Sequence, residues 1–197
     1  MLLWGLTRAL FAVWFRYRSR GAVRPPKCGP VLFVSNHASF LDPVLIGAVT
    51  CRPLQYLARS TLFRSRPFAL LIRSLGAVPV EREGVGVGGT RAVLSILAGG
   101  GAVTMFPEGT RSRDGSLGDF RTGAARIAQK SGAQVVPVWI EGSRGAMPPG
   151  ALFPRPRRIE IRLGVAFRVP PGVSAESATR EMRERLLALA GPPVEQE

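Results

Sequence analysis

A chain of 197 residues, 46% of them hydrophobic, has the length and apolar content for one folded domain with a substantial core. Its 27 Lys and Arg against 13 Asp and Glu give a formal net charge of +14, which directs attention to nucleic acid, anionic lipid headgroups and phosphorylated substrates as partners. Two cysteines, Cys28 and Cys51, make no disulfide framework and, with one histidine in the whole chain, no zinc site; they read as small, partly buried thiols in a reducing compartment.

The N-terminus is the clearest localisation signal. Met1 to Phe15 is almost wholly apolar, rich in aromatics, and is followed by Arg16, Arg18, Arg20 and Arg24. A helix that spans a bilayer needs about 20 apolar residues, and a secretory signal places its basic residues first. Residues 1–24 read as a helix lying in or dipping into an anionic membrane surface, on the cytoplasmic face of the cell membrane, peripheral or monotopic, the alternatives being a helix docked on the protein's own core or a true membrane span. Residues 25–197 are the expected catalytic domain.

Val31 to Ser35 reads as a buried strand, and Asp42-Pro43 opens an apolar helix to about Thr50. Leu57 to Leu75 reads as helical with interruptions near Pro67, Ala77 to Val80 as a strand, Thr90 to Leu97 as a helix and Ala102 to Phe106 as a strand. Phe120 to Lys130 reads as a helix and Gln134 to Ile140 as a strand. Ile159, Ile161 and Leu163 alternate with Arg158, Glu160 and Arg162, as in a strand with one wet face. Ser177 to Ala190 carries Met182, Leu186 and Leu189 at helical spacing. Strands alternating with helices predict a single α/β domain with a mainly parallel or mixed sheet flanked by helices.

Two segments carry chemistry, and each follows a strand, where open α/β sheets place their sites. In the first, Asn36 to Asp42, His37 is the only imidazole, able to take a proton from a hydroxyl, and Asp42 can fix its tautomer. The competing reading makes Asp42 simply a helix cap before Pro43. No Gly-x-Ser-x-Gly elbow supplies a protein nucleophile. In the second, Phe106 to Ser112, Gly109 permits a tight turn and Arg111 can hold a phosphate through paired hydrogen bonds. Gly84 to Gly89 matches Gly-x-Gly-x-x-Gly, but Glu81 and Glu83 would oppose a pyrophosphate there, so it reads as a flexible glycine loop.

Asn36-His37 with Asp42, followed by Phe106-Pro107-Glu108-Gly109-Thr110-Arg111-Ser112, resembles the glycerolipid acyltransferases, specifically the lysophosphatidic acid acyltransferase family. Tyr56 to Arg59, Gly76 to Arg82, Phe120 to Ala125 and Val135 to Val138 resemble the family's remaining blocks in order, so the resemblance runs from Val31 to Gly142. It implies that His37 deprotonates an acceptor hydroxyl for attack on an acyl thioester, with Asp42 orienting the imidazole. It further implies that Arg82, Glu108, Gly109 and Arg111 bind the glycerol phosphate of the acceptor, and that Pro137 lies in a block of less defined role. The acceptor would be 1-acylglycerol 3-phosphate and the product phosphatidic acid, with glycerol 3-phosphate, another lysophospholipid or a lyso-aminolipid as alternatives. The donor would be acyl-CoA or acyl carrier protein, with no cofactor and no metal. Outside enzymes, the alternative is an anionic-lipid-binding module; no nucleic-acid motif accompanies the arginines, so no specific nucleic-acid partner is expected.

Overall fold

The computed structural model describes residues 14–16, 18–20, 25–50, 52–81, 86–148, 150–151 and 153–191. Val31–Ser35 (β2) is buried at every position, as a strand covered on both faces must be. The other strands are β1 (Arg18–Arg20), β3 (Gln55–Arg59), β4 (Ala77–Val80), β5 (Ala102–Met105), β6 (Gln134–Glu141) and β7 (Glu160–Leu163). The sheet order is β1-β7-β6-β2-β5-β3-β4. Every neighbouring pair is parallel except β6 and β7, so the sheet is mixed: five parallel strands extended at one side by β7 and β1.

The helices are α1 (Asp42–Val49), α2 (Arg66–Ser74), α3 (Val87–Ala98), α4 (Gly123–Ser131), the short α5 (Ser143–Ala146) and α6 (Ala175–Leu187). Side chains alternate across the sheet, and the two cores follow from that alternation. Val31, Phe33, Val136, Val138 and Ile140 pack on one face with Leu45 and Ile46 of α1. Leu32, Val34, Val103, Met105 and Val135 pack on the other with Val93 and Leu97 of α3, Ile127 of α4 and Met182 of α6. Each such fully buried side chain contributes about 1.5–3 kcal/mol. At α6 the Ser174 hydroxyl caps the helix by accepting from the Ser177 N–H at 3.1 Å.

The segment expected to be helical from Leu57 to Leu75 is divided. Gln55–Arg59 is a strand because it lies between two others, with Tyr56 in register with Thr104 on β5 and Ala77 on β4. Pro67 starts α2 instead of interrupting a longer helix, since a proline costs nothing where no N–H partner exists. Gly76 turns the chain into β4 with φ +95°, and a Cβ there would lie 2.0 Å from the Leu54 carbonyl oxygen. Part of the expected N-terminal segment belongs to the domain: Arg18–Arg20 pairs with β7, and Phe15 is 2% exposed within the first core. Met1 to Val13 lie outside the described residues. Gly88 and Gly89, expected in a loop, form part of the first turn of α3. Cys28, expected to be partly buried, is exposed, and Cys51 lies outside the described residues. Among the described residues, no helix is long and apolar enough to cross a membrane.

Candidate active site

Parallel strands deliver their carboxyl ends to one edge, and the chain segments leaving β2 and β5 meet there. Val34 is in register with Met105, so Asn36 and His37 emerge beside Phe106, Pro107 and Glu108. Asn36 is buried and its side chain continues the pairing of β2 with β6 as far as the buried Ile140. Its amide nitrogen donates to the Ile140 carbonyl at 2.9 Å, and its amide oxygen accepts from the Ile140 N–H at 2.8 Å. This two-point hold sets the start of the loop that carries His37.

The loop turns back through Ser39 to α1, bringing Asp42 under the imidazole. His37 Nδ1 lies 2.8 Å from Asp42 Oδ2. The same oxygen accepts the N–H groups of Ala38 and Ser39, each at 2.7 Å. Asp42 does not cap α1, since no side-chain cap bond is made there; its carboxylate instead organises the loop before the helix. The negative charge sits in the first turn of α1, where the helix dipole favours it. A carboxylate only accepts, so Nδ1 carries the proton and Nε2 presents its lone pair outward. The His37 side chain is 18% exposed and that of Asp42 is 1% exposed: the carboxylate is sealed and the imidazole is reachable.

Phe106 stacks on the imidazole with ring centroids 3.9 Å apart and planes 17° from parallel. It also lines a cavity of about 430 Å³ whose walls include Leu94, Met105 and Ile127, with Arg121, Arg126 and Lys130 supplying positive charge.

Glu108 is 7% exposed, and backbone groups occupy both of its oxygens. Oε1 accepts the His37 N–H and Oε2 the Gly118 N–H, both at 2.9 Å. Burial raises its pKa above the usual glutamate value, opposed by these two N–H donors. Ser112 N–H then donates to the His37 carbonyl at 2.7 Å, so both backbone groups of His37 are held by the Phe106–Ser112 segment. Gly109 makes the turn that allows this, with φ +71° and its N–H on the Phe106 carbonyl at 3.0 Å. A Cβ at Gly109 would sit 3.0–3.3 Å from the Arg121 side chain.

Arg111 is half-buried, its guanidinium carbon 3.7 Å from the centroid of the exposed Phe40 ring. The structure thus brings together His37, Asp42, Glu108, Gly109 and Arg111, five of the six residues singled out in the sequence. Arg82 lies outside the described residues. Pro137, in the middle of β6, is buried opposite Val34 and is part of the sheet. Sequence reasoning gave no role to Asn36 or Phe106; a buried amide beside the histidine at a strand end was the available signal for the first. Among the described residues no cluster of three or more His, Cys, Asp or Glu side chains is arranged to hold a metal.

The same constellation is set in a known framework. The family model described as Acyltransferase matches residues 16–141. The chain is 33% identical over 129 residues to the chloroplastic 1-acyl-sn-glycerol-3-phosphate acyltransferase of Arabidopsis thaliana, covering 64% of this chain and 36% of that protein. It is 30% identical over 176 residues to a 1-acyl-sn-glycerol-3-phosphate acyltransferase of Chlamydomonas reinhardtii, covering 85% and 51% respectively. The chain thus spans between about a third and a half of the length of these two relatives. The crystal structure of the 1-acyl-sn-glycerophosphate acyltransferase PlsC from Thermotoga maritima superposes with a TM-score of 0.79, covering 95% of this chain and 77% of that one; at 23% identity this establishes a shared fold. With a histidine–aspartate pair at the carboxyl edge of the sheet and a family match over more than half its length, the chain belongs to the acyltransferase family.

Proposed function

We propose that this chain transfers an acyl group from a thioester donor to the free hydroxyl of 1-acylglycerol 3-phosphate, forming phosphatidic acid. The observation that carries the reading is the 2.8 Å contact of His37 Nδ1 with a buried carboxylate, which leaves Nε2 as a proton acceptor at a reachable edge. Among the described residues no serine, threonine or cysteine side chain is hydrogen-bonded to that imidazole, which supports direct attack by the acceptor. The names of the curated relatives support the acceptor.

In the forward step Nε2 takes the hydroxyl proton as the acceptor oxygen bonds to the thioester carbonyl carbon. The tetrahedral intermediate collapses by breaking the C–S bond, and the imidazolium returns the proton to the departing thiolate. Asp42 stabilises the imidazolium while that proton is held. Arg111, with Arg82 and the Gly109 turn, binds the acceptor phosphate through charge-assisted hydrogen bonds. Glu108 contributes to acceptor binding by shaping the loop, since its oxygens are already taken by the His37 and Gly118 N–H groups. The cationic, partly apolar cavity beside Phe106 suits an amphiphilic anion. The donor is acyl-CoA or acyl carrier protein, both of which present a phosphopantetheine thioester. The enzyme works at the cytoplasmic face of the membrane, held there by its basic surface and the apolar residues 1–15.

The test is phosphatidic acid formation and thiol release by purified protein given lysophosphatidic acid and acyl-CoA in vesicles. His37→Ala, with its fold verified by circular dichroism, is expected to lose about 10²–10⁴-fold in rate. Wild-type protein that stays inert with acyl-CoA and acyl carrier protein donors across a panel of lysophospholipids would refute the proposal.

A further inference from the structure

Helix α2 faces outward with apolar side chains. Only Ala69 and Ile72 of its nine residues are buried. Phe68, Leu70 and Leu71 are 43%, 69% and 53% exposed, and Phe68, Leu71 and Leu75 recur at the spacing that puts them on one stripe. Arginines frame this stripe: Arg64 and Arg66 before it and Arg73 within the last turn. From Pro43 to Val80 the sequence contains five arginines, Arg52, Arg59, Arg64, Arg66 and Arg73, and no acidic residue. An exposed leucine alone would mean nothing; an apolar stripe flanked by arginines on a helix that itself carries no carboxylate is a different surface.

The topology starts that surface on the edge of the sheet that carries His37 and runs it back to Gly76 at the opposite edge. Strand β3 runs parallel to β5, and β5 to β2, so β3 ends at Arg59 on the same edge as His37. The turn Ser60–Phe63 follows on that edge, and α2 starts from it before the chain returns to β4. Phe40, 46% exposed and three residues beyond His37, adds a second apolar group there with the Arg111 guanidinium against its ring.

We propose that the exposed face of α2, together with Phe40, is a membrane-docking surface independent of the N-terminal segment, which seats the carboxyl edge of the sheet on an anionic bilayer. The apolar stripe enters the acyl boundary and the flanking arginines meet phosphate headgroups. An acceptor and a product that both reside in the bilayer can then reach His37 without leaving it; this rests on the lysophospholipid reading above.

The experiment measures partition of the full chain onto vesicles of phosphatidylcholine, alone or mixed with phosphatidylglycerol. Replacing Leu70 and Leu71 together by Ser is expected to lower partition onto both vesicle types, by about tenfold per leucine. Replacing Arg64 and Arg66 together by Gln is expected to lower it about fivefold per charge, on the mixed vesicles only. With circular dichroism unchanged, transfer to a short-chain acceptor below its micelle concentration stays at the wild-type rate in both variants. Partition equal to wild type in both variants overturns the proposal, as does a wild-type chain that ignores both vesicle types. Partition unchanged while the leucine variant converts a wild-type dimer to a monomer also overturns it, in favour of a second copy as the occupant. A chain that acylates nothing, yet whose partition falls with these substitutions, keeps the docking surface and discards the activity.

Discussion

Asp42→Asn separates geometry from charge at the base. In the wild type one carboxylate oxygen, Oδ2, receives His37 Nδ1 and the N–H groups of Ala38 and Ser39, all within 2.8 Å. The two backbone donors cannot rotate away, so the amide of asparagine must place its carbonyl oxygen at that position and its NH₂ at the other. The imidazole then keeps its tautomer and orientation and loses the negative charge opposite the developing imidazolium, while the NH₂ at the buried, unpartnered Oδ1 position lowers stability by about 1–3 kcal/mol. Hydrogen bonds to charged groups are worth about 1.5–3 kcal/mol against about 1 for neutral ones, so the transition state loses about 1–2 kcal/mol. That is a fall in kcat of about 5–30-fold. Asp42→Ala leaves two buried N–H groups without an acceptor, at about 1–3 kcal/mol each, so it loses stability as well as rate. The assay is thiol release from acyl-CoA in the presence of lysophosphatidic acid, with urea denaturation run on each variant. Asp42→Asn folded like wild type but as inactive as His37→Ala would refute the reasoning, because holding the tautomer would then count for nothing.

The buried Glu108 makes a prediction of unusual sign. Because burial raises its folded-state pKa above the ordinary 4.5, its contribution to stability is fullest at low pH and is lost as pH rises through that raised value. The stability of wild type relative to Glu108→Gln, followed by urea denaturation from acid toward neutral pH, should therefore fall across this window; a rise would contradict the burial argument. Arg111→Ala should raise KM for the phosphorylated acceptor about 10–100-fold, as loss of a charge-assisted pair requires, with little change in kcat. An unchanged KM would remove Arg111 from phosphate binding. Gly76→Ala places a Cβ 2.0 Å from a backbone oxygen that cannot move aside, and should abolish soluble folded protein. Gly109→Ala meets only the flexible Arg121 side chain and the cost of φ +71°, about 1–2 kcal/mol, and should lower Tm by a few degrees without unfolding the chain.

The pairing of His37 with Asp42 was legible in the sequence because the relation between them is local. His37 is the only histidine, Asp42 follows five residues later, and an apolar run before them with a proline after them marks a strand-to-helix junction. The same locality made β2, α1, β5 and β6 readable: each is a compact apolar run bounded by turn residues. Strand β3 was not, since Gln55 to Arg59 has neither helical nor alternating periodicity; its pairing with β4 and β5 decides its form. Nor could sequence show what Glu108 does. The resemblance assigns Glu108 to acceptor binding, and only the adjacency of β2 and β5 reveals that its carboxylate is buried against the N–H of a residue 71 positions away. Asn36 grips Ile140 across 104 residues for the same reason. Composition and short-range spacing thus determined which groups can do chemistry and that the domain is α/β. The sheet order alone decided which backbone donors hold those groups in place, because hydrogen bonds between distant segments depend on strand adjacency, which no local pattern encodes.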